Sequence, residues 1–340
     1  MRATGTFSLS RRVSLAAFLS VLAAARGGSA ADARYLRVGT GSVSGTYYPV
    51  GELLARIVST PPGARACDQE GVCGVPDLIV IVQTSKGSVE NARAVQAGEI
   101  ESGFVQSDVA FGAFHGSGEF EGGPPMTRLR ALASLYVESA HLVARAGTGI
   151  ATVADLRGKR VSLDVEGSGT LVEARLILEA YGLGADTIQA VYATPGRALD
   201  MMAAGELDAF FLVAGYPAAA VSELVGNHGA SLVPIKGREI ETLLKTHRFL
   251  ARDVIPAGTY GQTAAIETVG VAALWLVAAD LEDQLVYAIT AALWQPAARA
   301  ELDAGHPKGK SIRLENALLG VALPVHPGAA RYYQEHGIAG

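Results

Sequence analysis

The run Tyr35-Leu-Arg-Val-Gly-Thr-Gly-Ser-Val-Ser-Gly-Thr-Tyr-Tyr-Pro-Val-Gly51 sets the reading of the whole chain. Its first four residues have strand character, Gly39 to Thr46 is a loop of glycines and hydroxyls, and Pro49 opens an apolar-periodic helix, Val50 to Val58. A strand that feeds a helix through such a loop gathers backbone N–H groups and hydroxyls at the helix's positive end. That arrangement suits a carboxylate or another anion. The order recurs in mid-chain, with Lys159 to Asp164 as strand, Glu166-Gly-Ser-Gly-Thr170 as loop and Leu171 to Tyr181 as helix. Two such loops in separate halves predict a cleft gripped from both sides.

Outward from the first loop the unit of strand, polar turn and helix repeats. Leu78 to Gln83 leads through Thr84 to Ser88 into the helix Val89 to Ala97, with Ser88 as its N-cap, and Glu99 to Val105 leads through Gln106-Ser107-Asp108 into Val109 to Phe114. Further strands are expected at Ile188 to Tyr192, Asp208 to Val213 and Ser231 to Ile235. This rhythm is that of an α/β sheet. Apolar segments at Leu129 to Val137 and His141 to Ala144 mark the passage into a second domain, and 248–260 marks the return. The expected division is 34–140 plus 255–340 for lobe I and 141–254 for lobe II.

The length of 340 residues suffices for two domains. A net charge of -5, with Lys and Arg scattered, offers no nucleic-acid footprint. Residues 1–33 read as an export signal: Arg2, Arg11 and Arg12 precede the apolar run Val13 to Ala25, and small residues follow up to a cleavage point after Ala33. In an exported chain Cys67 and Cys73 are expected to form a short disulfide. Gly39, Gly41 and Gly45 miss the spacing of a dinucleotide loop, and no Lys follows Gly45 as a nucleotide P-loop requires. Gly167-Ser168-Gly169 lacks the spacing of a nucleophile elbow, and the dispersed histidines form no metal-ligand pair with an acid. The expectation is a binding protein, not an enzyme, that uses no metal or cofactor and is a monomer.

The loop Gly39-Thr-Gly-Ser-Val-Ser-Gly-Thr-Tyr-Tyr-Pro49, with Gly87-Ser-Val-Glu-Asn91, Phe104-Val-Gln-Ser-Asp-Val-Ala110, Gly167-Ser-Gly-Thr170, Asp208-Ala-Phe-Phe-Leu-Val-Ala-Gly-Tyr-Pro217 and His326-Pro-Gly-Ala-Ala-Arg-Tyr-Tyr333, resembles the TAXI family. These are extracytoplasmic solute receptors of tripartite ATP-independent periplasmic (TRAP) transporters, and the likeness spans nearly all of the chain after the signal. It implies a two-lobed type II periplasmic-binding-protein fold, a small organic carboxylate such as glutamate, glutamine or 2-oxoglutarate as ligand, and a permease of large and small membrane subunits driven by an ion gradient. Carried onto this chain, the ligand-binding residues are Ser42, Ser44, Gly45, Thr46, Tyr47, Ser88, Asn91, Gln106 and Ser107 from one lobe. Ser168, Gly169, Thr170 and Tyr216 come from the other. The competing readings are an exported sensor acting with a signalling partner and an exported α/β enzyme.

Overall fold

The computed structural model describes residues 1–2, 33–64 and 73–338, so that most of the expected export signal, and Cys67, lie outside the described residues. The first lobe begins as a series of strands and helices: β1 (Arg34–Gly39), α1 (Tyr47–Val58), β2 (Ser59–Thr60), β3 (Val75–Pro76), β4 (Leu78–Gln83), α2 (Ser88–Ala97), β5 (Ser102–Gln106) and α3 (Ser107–His115). β1 lies between β4 and β5, parallel to both. Gly98 and Gly116 end α2 and α3 at φ 76° and 68°, a left-handed backbone that glycine adopts without a Cβ clash.

β6 (Leu129–Ala144) then carries the chain across, as one strand where two segments are expected. The second lobe follows as β7 (Arg160–Ser162), α4 (Gly169–Ala180), β8 (Gln189–Val191), α5 (Pro195–Ala203), β9 (Ala209–Ala214), α6 (Ala219–His228), β10 (Ser231–Val233), α7 (Arg238–Thr246) and β11 (Ala251–Ile255). The return is made by β12 (Ile266–Ala278), and α8 (Asp283–Trp294), α9 (Pro296–Gly305) and α10 (Pro327–Glu335) complete the first lobe. Phe249 to Pro256, read as part of the return, instead forms β11, which folds back on the first half of β12.

The sheet order β3-β2-β4-β1-β5-β12-β6-β9-β7-β8 places β12 and β6 at its centre. Their pairing is antiparallel, and each strand serves both lobes: β6 pairs with β12 from Leu129 to Ser139 and with β9 from Ser139 to Ala144. β12 pairs with β11 through Gly270 and with β5 from Ala273 onward. Each lobe buries both faces of its part of the sheet. In β12, Trp275 joins Leu36, Leu53 and Phe104 on one face, while Leu274 and Leu276 join Val89 and Val105 on the other. In β9, Phe211 packs with Leu171 and Ile177, and Phe210 and Leu212 pack with Met202 and Val221. Such strands read as continuous apolar runs because neither face meets water. The result is an α/β fold of two lobes with a cleft between them.

Of the expected Cys67–Cys73 disulfide, Cys67 lies outside the described residues, and Cys73 is not a free thiol. The Cys73 backbone also donates its N–H to Gln295 Oε1 at 2.9 Å and accepts Gln295 Nε2–H at 3.0 Å on its carbonyl.

Candidate functional site

The first wall of the cleft is the loop after β1. Ser42 closes it into a turn, its carbonyl accepting the Gly45 N–H at 3.0 Å and its Oγ the Ser44 N–H at 3.2 Å. α1 starts where Val50 donates to the Thr46 carbonyl at 3.2 Å. Gly41, Ser42, Gly45, Thr46 and Tyr47 thereby face the cleft. Ser88 is the first residue of α2, and Gly87, at φ 120°, is the cap in its place. The Ser88 hydroxyl accepts the Gln106 N–H at 3.1 Å, which ties the end of β5 to the start of α2 and sets both Ser88 and Gln106 on the cleft wall.

The second wall is the turn before α4. Asp164 takes a left-handed backbone at φ 70°, uncommon for a residue with a side chain, and aligns the turn by accepting the Val165 N–H at 2.8 Å on its own carboxylate. Ser168 caps α4 by accepting the Leu171 N–H at 3.1 Å, and the Thr170 hydroxyl accepts the Val213 N–H of β9 at 3.0 Å. Ser168, Gly169 and Thr170 line the cleft, joined by Thr194 and Pro195 at the start of α5. The first N–H groups of a helix have no partner within it, so α1, α4 and α5 all present donors near this space.

The lobes touch directly around the cleft. Thr46 Oγ1 donates to the Gly215 carbonyl, Ala220 N–H to the Ser44 carbonyl at 3.3 Å, and Glu90 N–H to the Gly167 carbonyl at 3.0 Å. The cleft holds a cavity of about 60 Å³.

Four of the expected ligand residues stand elsewhere. Ser44 meets the other lobe through its carbonyl. Asn91 is structural: its Nδ2 donates to the carbonyls of Thr40 and Phe104, each at 2.8 Å, and its Oδ1 lies where a Cβ on Gly39 would come within 2.5 Å. Ser107 is buried outside the cleft lining. Tyr216 stacks beneath Lys308, whose Nζ stands 3.6 Å from the ring centre. Arg197, at the start of α5, is exposed and pairs with Glu206 at 3.8 Å.

Two cleft residues escaped the sequence reading of the site. Glu138, at 2 % exposure, accepts the Tyr47 O–H at 2.7 Å, and burial pushes its carboxyl up to about 8 against the opposing pull of the Tyr47 bond and the Lys308 charge. Asp164 is pushed up to about 7, also by burial. The signal for Glu138 was present: a lone acid inside an apolar strand buried on both faces needs a partner. Lys86 at the rim is the cation among the lining residues. A larger hollow of about 540 Å³ lies on the other side of α4, walled by Phe111, Phe120, Val172, Leu176 and Phe249. Its walls are mainly apolar, so the smaller cleft is the candidate site for a polar solute. Among the described residues no group of three His, Cys, Asp or Glu is placed to hold a metal ion.

The fold is an α/β architecture of two lobes, and the cleft between them is the candidate site. The chain belongs to the NMT1-like family, whose model matches residues 38–337. It is similar to the alkanesulfonate-binding protein SsuA from Xanthomonas axonopodis pv. citri bound to MOPS, at 18% identity over 90% of this chain and 85% of that one, with a TM-score of 0.47. It is also similar to PhnD1 from Prochlorococcus marinus (MIT 9301) in complex with methylphosphonate, at 10% identity over 82% of this chain and 95% of that one, with a TM-score of 0.48.

Proposed function

We propose that this chain is a periplasmic receptor that captures a small organic carboxylate of the glutamate, glutamine or 2-oxoglutarate type and delivers it to the large and small membrane subunits of a TRAP permease. The observation that carries this reading is the small inter-lobe cavity faced by the starts of α1, α4 and α5 together with the hydroxyls of Ser42, Ser88 and Ser168. Backbone N–H groups and hydroxyls bind a carboxylate through several bonds without a guanidinium. Glu138 and Asp164 add a demand of their own, because a buried acid is best satisfied by a hydrogen-bond donor or a positive group. An α-amino acid supplies both chemistries, which favours glutamate or glutamine over 2-oxoglutarate. The ligand residues in this reading are Ser42, Gly45, Thr46, Tyr47, Ser88, Gln106, Ser168, Gly169 and Thr170, with Glu138 and Asp164 added. Lobe I comprises 34–140 and the end of the chain, and lobe II runs from 141 into the first half of β12.

The test is a thermal-unfolding screen of the mature protein, stripped of bound solute by unfolding and refolding, against L-glutamate, L-glutamine, 2-oxoglutarate, C4 dicarboxylates and simple sugars. A solute that binds only the folded state raises the transition temperature with concentration. Saturable stabilisation by an amino-acid carboxylate supports the reading, and stabilisation by sugars alone, or by nothing in the set, overturns it.

A further inference from the structure

Glu173 lies in α4 one turn beyond Gly169, with 0 % exposure, and neither of its carboxylate oxygens has a hydrogen-bond partner within the protein. Its neighbours on the helix show what covers it. Thr170 lines the solute cleft, Val172 packs against the first lobe's core, and Arg175 faces Glu119 of the first lobe at 3.5 Å. Glu173 therefore stands in the wall between the cleft and the larger apolar hollow, at the seam where α4 of one lobe meets α3 of the other.

The charges that reach Glu173 are of the wrong sign for an ionised carboxylate. Burial favours the protonated form, and Asp108 on α3 and Glu138 on β6 add to that effect. Around these two stand Tyr47, Tyr136 and Lys308 near Glu138, and His247 near Asp108. On the elements packed against α4, β9 contributes no titratable side chain, Arg238, Glu239 and Lys245 of α7 are exposed, and the half-buried Glu241 of α7 pairs with Arg252. The neighbouring Gln106 Oε1 and Asp108 Oδ1 are also buried without partners. Both atoms are acceptors, so this seam is short of donors.

We propose that the lobes meet in this arrangement only when Glu173 carries a proton, so that closure of the receptor, and with it solute capture, takes up a proton from the periplasm. An ionised carboxylate buried without a hydrogen bond or a cation is strongly disfavoured. A protonated one is neutral and gains an O–H that such acceptors can use. With the lobes apart, the face of α4 that carries Val172 and Arg175 reaches water, and Glu173 ionises as an ordinary glutamate. The sign follows: an acid whose pKa is raised in the closed form favours closure at low pH, and that advantage is lost as pH rises through the closed-form pKa. For one proton the closing equilibrium changes by up to about tenfold per pH unit.

The inference concerns the meeting of the lobes and not the identity of the solute, so its test needs no ligand and survives a wrong assignment of the solute. Spin labels on genetically encoded residues at the exposed positions Glu121 and Lys245 report the inter-lobe distance by pulsed electron resonance between pH 5 and 9. The wild-type distribution is expected to shift from short to long as pH rises, and Glu173→Gln to hold the short distance to higher pH than the wild type. A wild-type distribution that does not move with pH, or a Glu173→Gln distribution that follows the wild type, overturns the proposal. Glu173→Leu serves in the same way if the glutamine variant fails to fold. Infrared spectroscopy of the closed form at pH 7 should show protonated carboxyl C=O intensity that falls in the variant by the contribution of one carboxyl, and a spectrum unchanged by the substitution also overturns it.

Discussion

Gly169→Ala should stop the lobes from meeting while leaving each lobe folded. A Cβ at this position would lie 1.6 Å from Gln106 Oε1, 2.5 Å from Gln106 Cδ and 2.9 Å from Ser88 Oγ, all of them on the opposite lobe. Gly169 is the first residue of α4, where an alanine backbone is unstrained and more helix-favouring by about 1 kcal/mol. The second lobe should therefore fold as well as before. Gln106 is 2 % exposed, so its side chain has little room to move. Swinging its amide aside would place it in a cavity of about 60 Å³ that the solute must fill. Overpacking of this kind costs about 1–3 kcal/mol, which corresponds to roughly a 5- to 150-fold loss of affinity. Calorimetric titration with the solute found by the screen reads the affinity, and unfolding of the ligand-free variant reads the fold. Unchanged affinity in the variant would refute the reasoning, because it would mean that solute binds without the closed contact.

Thr46→Val removes the hydroxyl that donates to the Gly215 carbonyl across the cleft. It should weaken solute binding by about 1 kcal/mol, measured by titration, with little change in ligand-free stability. Asp208 bridges Arg145 at 2.8 Å and Arg160 at 2.7 Å, and the hydrogen bond from Arg160 holds its carboxyl well below the usual range. Asp208→Asn should destabilise the second lobe by about 1.5–3 kcal/mol near neutral pH in chemical unfolding. The gap should narrow as pH falls, because a depressed carboxyl contributes above its unfolded pKa and loses that contribution toward its folded one. Tyr260→Phe leaves two buried groups without partners, the Ala218 N–H, 2.9 Å from the phenol oxygen, and His141 Nε2, 2.9 Å from it as well. The expected loss is about 1–3 kcal/mol for each, read by the same method.

The α/β rhythm was legible because local chemistry decides it. Leu78 to Gln83 is apolar and β-favouring, Gly98 and Gly116 stop their helices, and the observed strand and helices lie within a few residues of the sequence reading. The first loop and the turn before α4 were legible for the same reason, since glycine and hydroxyl runs between a strand and a helix leave few alternatives. What escaped depends on distant partners. Asn91 looks like a ligand residue until its amide is seen to bridge the carbonyls of Thr40 and Phe104. Tyr216 sits beside a cleft motif in sequence, yet Lys308, far along the chain, claims its ring. The passage between lobes was read as two strands because Glu138 and Ser139 interrupt the apolar run. Tertiary pairing with β12 keeps those residues extended.

His141 illustrates how geometry decides between a catalytic and a structural histidine. Its Nδ1 lies 2.9 Å from the Ser139 carbonyl and 3.1 Å from that of Leu212, and a carbonyl can only accept, so Nδ1 carries the proton. Nε2 is then the acceptor, and Tyr260 donates its O–H to it while its oxygen accepts the Ala218 N–H. Every polar atom of the ring is spent inside the second lobe, with 0 % exposure, and burial lowers its pKa to about 4. Such a ring has no lone pair or proton to offer a substrate, and it does not line the cleft. Its role is to pin β6 and β9 to the start of α6, on the far side of the strand position where Glu138 faces the cavity. β6 thus joins a rigid anchor at His141 to an acid in the cleft at Glu138, three residues apart.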